Sequence, residues 1–209
     1  MRRESSPSSS SAKIEVVQTP TKRLIVTIGI LVGMFLAALE ATVVGTAMPT
    51  VISSLGGLEL YSWVFSAYLL ASTVTVPAWG KLSDIYGRRP LYLWAISIFL
   101  LGSIFSGQAQ SMTQLIVFRA IQGLGAGGLL PLAMTIAAEL YTPVERAKVQ
   151  GFFSGVWGLA SIVGPLVGGI ITEQISWRWV FYLNIPFGIA AALIIGTQFV
   201  EERPEGKRR

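Results

Sequence analysis

Six apolar stretches follow one another along this chain, at residues 24–48, 61–80, 91–109, 113–138, 150–172 and 179–199. Each is long enough to cross a hydrocarbon core of about 30 Å, which takes roughly 20 residues of α-helix with some allowance for tilt. Lipid offers the backbone no hydrogen-bond partner, so runs of this length must be helical. A β-barrel would instead show alternating segments of about ten residues, and none is present. The pattern predicts an all-α, integral membrane six-helix bundle. Polar segments flank it: a Ser-rich tail over residues 1–23, read as a disordered cytoplasmic extension, and a second tail from 201 to 209. The first apolar run is longer than the core of a cleaved signal peptide, so it is read as an uncleaved span.

Composition sharpens this reading. Of 209 residues 52% are hydrophobic and 13% charged, against about 25% charged in a soluble domain. The net charge of +5 does not point to nucleic acid, because its carriers sit in loops and tails. Arg2, Arg3, Lys13, Lys22 and Arg23 precede the first span, and Lys81, Arg88 and Arg89 lie between the second and third. Arg146 and Lys148 lie between the fourth and fifth, and Arg203, Lys207, Arg208 and Arg209 follow the sixth. Only Arg178 occupies an opposite loop. By the positive-inside rule both termini are cytoplasmic, which is consistent with an even number of crossings. The chain has no cysteine and no histidine. No thiolate or imidazole chemistry is available, and no metal site or cofactor motif is evident. Nucleotide-binding glycine loops and catalytic triads are also missing, so an enzyme is not expected.

Two charged residues lie deep within the spans, Glu40 in the first and Arg119 in the fourth. An ionisable group at such depth costs at least a few kcal/mol unless it is paired or wetted, and so marks a candidate functional site. Taking the outer ends of these spans near Met48 and Thr113, a rise of 1.5 Å per residue places the two charges roughly 12 Å and roughly 9 Å below one surface. They can meet if the first and fourth spans are neighbours. Such a pair is either a static brace between helices or a proton-sensitive element, in which protonation of Glu40 frees Arg119.

Three other segments stand out. "GKLSDIYGRRP", Gly80 to Pro90, offers turn glycines at Gly80 and Gly87 and charges at Asp84, Arg88 and Arg89; residue types alone make it a basic cytoplasmic turn. The fifth span carries Gly155, Gly158, Gly164, Pro165, Gly168 and Gly169, which suit either close helix packing or a flexing point. Gln122 is close enough in sequence to share a polar lining with Arg119, and Asn184 either joins that path or bonds across helices. A weak internal likeness between spans one to three and four to six suggests two inverted three-helix repeats.

Together these segments resemble the N-terminal half of a major facilitator superfamily transporter, and more narrowly the fourteen-helix drug:proton antiporter family. The likeness covers about residues 20 to 203. It rests on "LEATVVGTAMP", with Glu40 where the family commonly has Asp, and on "GKLSDIYGRRP" and "RAIQGLGAGG". The fifth-span run ending "GPLVGG" and "WRWVFYLNIPFG" complete it. The resemblance implies proton-coupled efflux of amphipathic drugs or other small molecules across a plasma (inner) membrane. Glu40 and Arg119 would couple protons, Gln122 and Asn184 would line the substrate cavity, and Asp84, Arg88, Arg89, Gly80 and Gly87 would control conformation. Gly158, Gly164, Pro165, Gly168 and Gly169 would let the fifth helix flex. The expected partners are the substrate, protons, the bilayer, and either a missing C-terminal half or a second copy of the chain. An uptake facilitator of the same superfamily and a non-transporting membrane scaffold are the other readings.

Overall fold

The computed structural model describes residues 20–201. Tail residues 1–19 and 202–209 lie outside that range; residues 20–23, assigned to the tail by composition, form the start of the first helix. Seven α-helices and a short 3₁₀ turn follow in order: α1 (Pro20–Leu55), the turn (Leu58–Leu60), α2 (Tyr61–Tyr86), α3 (Arg88–Gly107), α4 (Met112–Leu140), α5 (Pro143–Gln174), α6 (Trp179–Tyr182) and α7 (Asn184–Gln198). There is no strand among the described residues.

Most helices outrun the apolar stretches that predict them. Hydropathy marks the part of a rod that sits in hydrocarbon, whereas backbone hydrogen bonding continues to the next cap. α1 passes Pro49 and stops at Leu55, where Gly56 and Gly57 take positive φ. α5 begins seven residues before its apolar run, because Thr142 and Glu145 form a capping box and Pro143 takes the first turn, where a missing N–H costs nothing. Gly87 alone separates α2 from α3, at φ 99°, a conformation L side chains rarely adopt. The sixth span is interrupted at a single residue, Leu183, one position before Asn184.

By length and composition α1, α3, α4, α5 and the Trp179–Gln198 rod can each cross a membrane. α2 has 26 residues, but Ser66, Ser72, Thr73, Thr75 and Pro77 dilute its apolar run.

α1 and α4 form the centre. α4 packs along α2 and α3, and α1 packs along α5 and α7, while α1 also touches α4 and α3 touches α7. Exchanging α1–α3 for α4–α7 maps this packing onto itself, as two inverted repeats require. The two repeats also share a device. Arg89, at the start of α3, donates to the Gly196 carbonyl near the end of α7. Arg178, at the start of α6, donates to the Gly107 and Ala109 carbonyls at the end of α3, at 2.9 and 2.6 Å. Each third rod therefore caps the other's C-terminus, where the last carbonyls lack helical partners.

Buried side chains fall into two apolar clusters. One gathers Val26, Ile30, Met34, Tyr92, Phe99, Leu132 and Ile136. The other gathers Leu39, Val43, Met48, Val64, Leu115, Trp177 and Phe181. α4 reaches α3 closely because Gly125 has no side chain; a Cβ there would strike the Phe99 backbone. α2 and α5 bury few residues and leave Leu69, Leu70, Val74, Leu159, Ile162 and Leu166 exposed.

Candidate functional site

Between the two apolar clusters lies a layer of buried polar side chains: Glu40 from α1, Ser103 from α3, Arg119 and Gln122 from α4, and Asn184 from the start of α7. Each of these residues, backbone included, is at most 1% exposed. Isolated, any of them would be costly there. They are not isolated. Arg119 Nη1 forms an ion pair with Glu40 Oε1 and donates to Gln122 Oε1 at 2.7 Å. Gln122 Nε2 donates to Ser103 Oγ at 3.2 Å, and Asn184 Nδ2 donates to the same oxygen at 2.8 Å. Asn184 Nδ2 also donates to Glu40 Oε2. The five side chains thus close into a hydrogen-bonded ring.

The ring is anchored on two further sides. Ser103 Oγ donates to the Phe181 carbonyl at 2.9 Å, beside the interruption in the sixth span. The Arg119 guanidinium lies over the Tyr68 ring, 4.2 Å from its centroid, and its Nε reaches toward the Val64 carbonyl at 3.5 Å. Every charge has a partner, and both carboxylate oxygens have separate donors.

The pairing of Glu40 with Arg119 follows from the neighbouring of α1 and α4. The ends of these helices are not level, however. α1 runs on to Leu55, so Glu40 lies roughly 22 Å along the rod from its end, while Arg119 lies roughly 10 Å from the start of α4. Packing, rather than distance from a helix end, sets the common level.

Gln122 and Asn184 bond within the ring, and Asn184 bonds across to α1 and α3. Neither touches the groove of about 320 Å³ between α1, α4 and α5, which is lined by Met34, Leu130, Met134, Gln150, Phe153, Ser154 and Trp157. Sequence reasoning missed Ser103, Tyr68 and that groove. Ser103 is one of several serines in an apolar run, and nothing in its neighbours marks it.

The basic turn is a junction of helix ends. Arg88 pairs with Glu139 at the end of α4 and lies 3.9 Å from Asp84. Its backbone N–H donates to Glu201 Oε1 at 2.6 Å, and a Cβ on Gly87 would run into that same carboxylate. The Asp84 side chain is 72% exposed, and Gly80 has open space beside it. On the same side of the bundle, Arg23 of α1 pairs with Glu145 of α5 at 3.0 Å and lies over the Tyr141 ring.

In α5 the glycines divide by face. Gly164 and Gly168 meet Thr42 and Thr46 of α1, and Thr42 Oγ1 donates across to the Ala160 carbonyl at 3.1 Å. Gly158 and Gly169 border open space, and Pro165 is exposed.

Known proteins agree with this architecture. The Multidrug transporter protein MdtP of Bacillus subtilis is 46% identical over 175 residues, covering 84% of this chain and 32% of its own length. Multidrug resistance protein 3 of the same organism is 44% identical, covering 88% and 36%. The chain therefore spans about one third of the length of these curated relatives. Among solved structures, a D-xylose-proton symporter superposes with a TM-score of 0.75 over 87% of this chain and 49% of its own, at 17% identity. The human organic anion transporter MFSD10 does so with 0.67 over 84% and 47%, at 20%. At such identities the likeness speaks for the fold alone. The profile of the family described as Major Facilitator Superfamily matches residues 30–209, and the chain belongs to that family of membrane carriers.

Proposed function

We propose that this chain is the N-terminal six-helix half of a proton-coupled efflux transporter, with Glu40 as the proton carrier and Arg119 as its counter-ion. The observation that carries the reading is the ring of Glu40, Arg119, Gln122, Ser103 and Asn184, sealed between two apolar clusters. A carboxylate so placed can be neutralised in two ways: by its guanidinium or by a proton. Exchange between them changes the net charge of the central layer and so biases how α1 and α4 pack. Relatives named as a multidrug transporter and a multidrug resistance protein favour drug-like compounds as the cargo. The groove lined by Met134, Phe153 and Trp157 offers the adaptable, apolar surface such compounds need. Gln122 and Asn184 act on the substrate path through the ring rather than by lining that groove.

The wider reading includes a plasma-membrane location with both termini cytoplasmic, six crossings including α2, and a C-terminal half completing the carrier. The exposed apolar faces of α2 and α5 suit contact with that half or with lipid. The turn at Asp84, Arg88 and Arg89 holds four helix ends together and is placed to resist or permit their separation. The decisive experiment is proton release driven by ethidium, a lipophilic cation, in proteoliposomes of the intact transporter. Glu40→Gln is expected to abolish release while membrane insertion is unchanged. Release at the native rate from that variant would refute the assignment.

A further inference from the structure

The direction of each hydrogen bond in the ring is determined by its chemistry. A hydroxyl has one proton to donate and two lone pairs to accept with. Ser103 gives its proton to the Phe181 carbonyl and receives from Asn184 and Gln122, so its capacity is fully used. Asn184 must then point its amide nitrogen at both Ser103 and Glu40, and its two protons are both spent. Carboxylate oxygens only accept, so the arrangement is self-consistent while Glu40 is ionised.

A proton arriving from solution on Glu40 Oε2 makes that oxygen a donor, and it then faces the N–H of Asn184. A neutral hydroxyl oxygen accepts more weakly than a carboxylate, and its own proton finds no acceptor on that side. The conflict is relieved when the Asn184 amide turns over, presenting Oδ1 to the Glu40 hydroxyl. The same oxygen then faces Ser103, whose proton must swing from the Phe181 carbonyl to Asn184. Phe181 thereby loses its side-chain partner at the end of α6, next to the interruption at Leu183.

We infer that Asn184 and Ser103 are positioning residues that transmit the protonation of Glu40 to the interruption in the sixth span by reversing hydrogen-bond direction. This rests on Glu40 being the proton carrier, as proposed above. The titratable groups that face Glu40 are Arg119 from α4 and Tyr68 from α2. α3 and the sixth span present only Ser103 and Asn184, and the described titratable residues of α5 lie toward its ends. Among the described residues no further acid or base faces Glu40.

The test is the pH profile of ethidium-driven proton release by the intact transporter in proteoliposomes. Asn184→Leu removes a donor to the ionised acid, so it favours the neutral form and shifts the half-maximal pH upward. The expected shift is about one unit, a tenfold lower proton concentration. Ser103→Ala frees the amide to turn and shifts the profile the same way by less; Ser103→Thr, which keeps the hydroxyl, restores it. Ser103→Ala deletes a single oxygen, so it carries the test even if Asn184→Leu does not insert. Glu40→Gln separates the two readings. If it is inactive while the Asn184 and Ser103 variants keep the native midpoint and merely slow exchange, the relay is wrong and the carrier assignment stands. If Glu40→Gln keeps the native profile, both fall.

Discussion

Replacing Arg119 by Leu should be the most damaging single change in the central layer, and the structure says by how much. The Arg119 and Glu40 side chains are 2% and 1% exposed, so water screens neither. Removing one member of a buried pair leaves the other uncompensated and costs about 3–5 kcal/mol. Glu40 would keep only the Asn184 amide, and Gln122 Oε1 would lose its donor. Removing the acid instead is milder. In Glu40→Gln, Arg119 retains Gln122, the Val64 carbonyl and the Tyr68 ring, and the new amide oxygen can accept from it once Asn184 turns its Oδ1 toward the new NH2. That variant should cost about 1–2 kcal/mol, in the range of weakening a hydrogen bond to a charged group. Replacing both charges, Glu40→Gln with Arg119→Leu, should recover at least about 2 kcal/mol relative to Arg119→Leu alone, because no charge is then stranded. The assay is reversible unfolding in mixed detergent–lipid micelles, read by far-UV circular dichroism for the wild type and all three variants. If Arg119→Leu costs less than about 1 kcal/mol, or the two charge deletions simply add, the pair is not the sealed unit described here.

Two further outcomes test the packing around that layer. Arg178→Ala leaves the Gly107 and Ala109 carbonyls without their donor; it should cost about 1–3 kcal/mol, with faster amide exchange concentrated in the last turn of α3. Gly125→Leu forces a side chain into the Phe99 backbone; overpacking should cost about 1–3 kcal/mol or more, seen as a lower unfolding midpoint, whereas the same change at Gly158, beside open space, should leave the midpoint within about 0.5 kcal/mol.

Much of this molecule was legible in order and composition because lipid is so strict a solvent. It forces long apolar runs into helices and makes a buried Glu40 or Arg119 conspicuous against its neighbours. Helix ends were less legible. Caps such as Thr142 with Glu145 extend a rod beyond its apolar stretch, where hydropathy no longer follows the backbone.

Which residues meet was settled only by packing. Ser103 looks like any other serine in its run until α3 brings it within reach of Gln122, Asn184 and the Phe181 carbonyl. Asn184 could have faced lipid, solvent or a neighbour; the sixth span's contact with α1 and α3 turned it toward Glu40. Arg89 and Arg178 read as charges of the connecting loops, yet each caps the partner rod's C-terminus. A one-dimensional pattern states the cost of burying each group alone. Whether that cost is offset depends on donors from helices far apart in sequence, and their positions exist only in three dimensions.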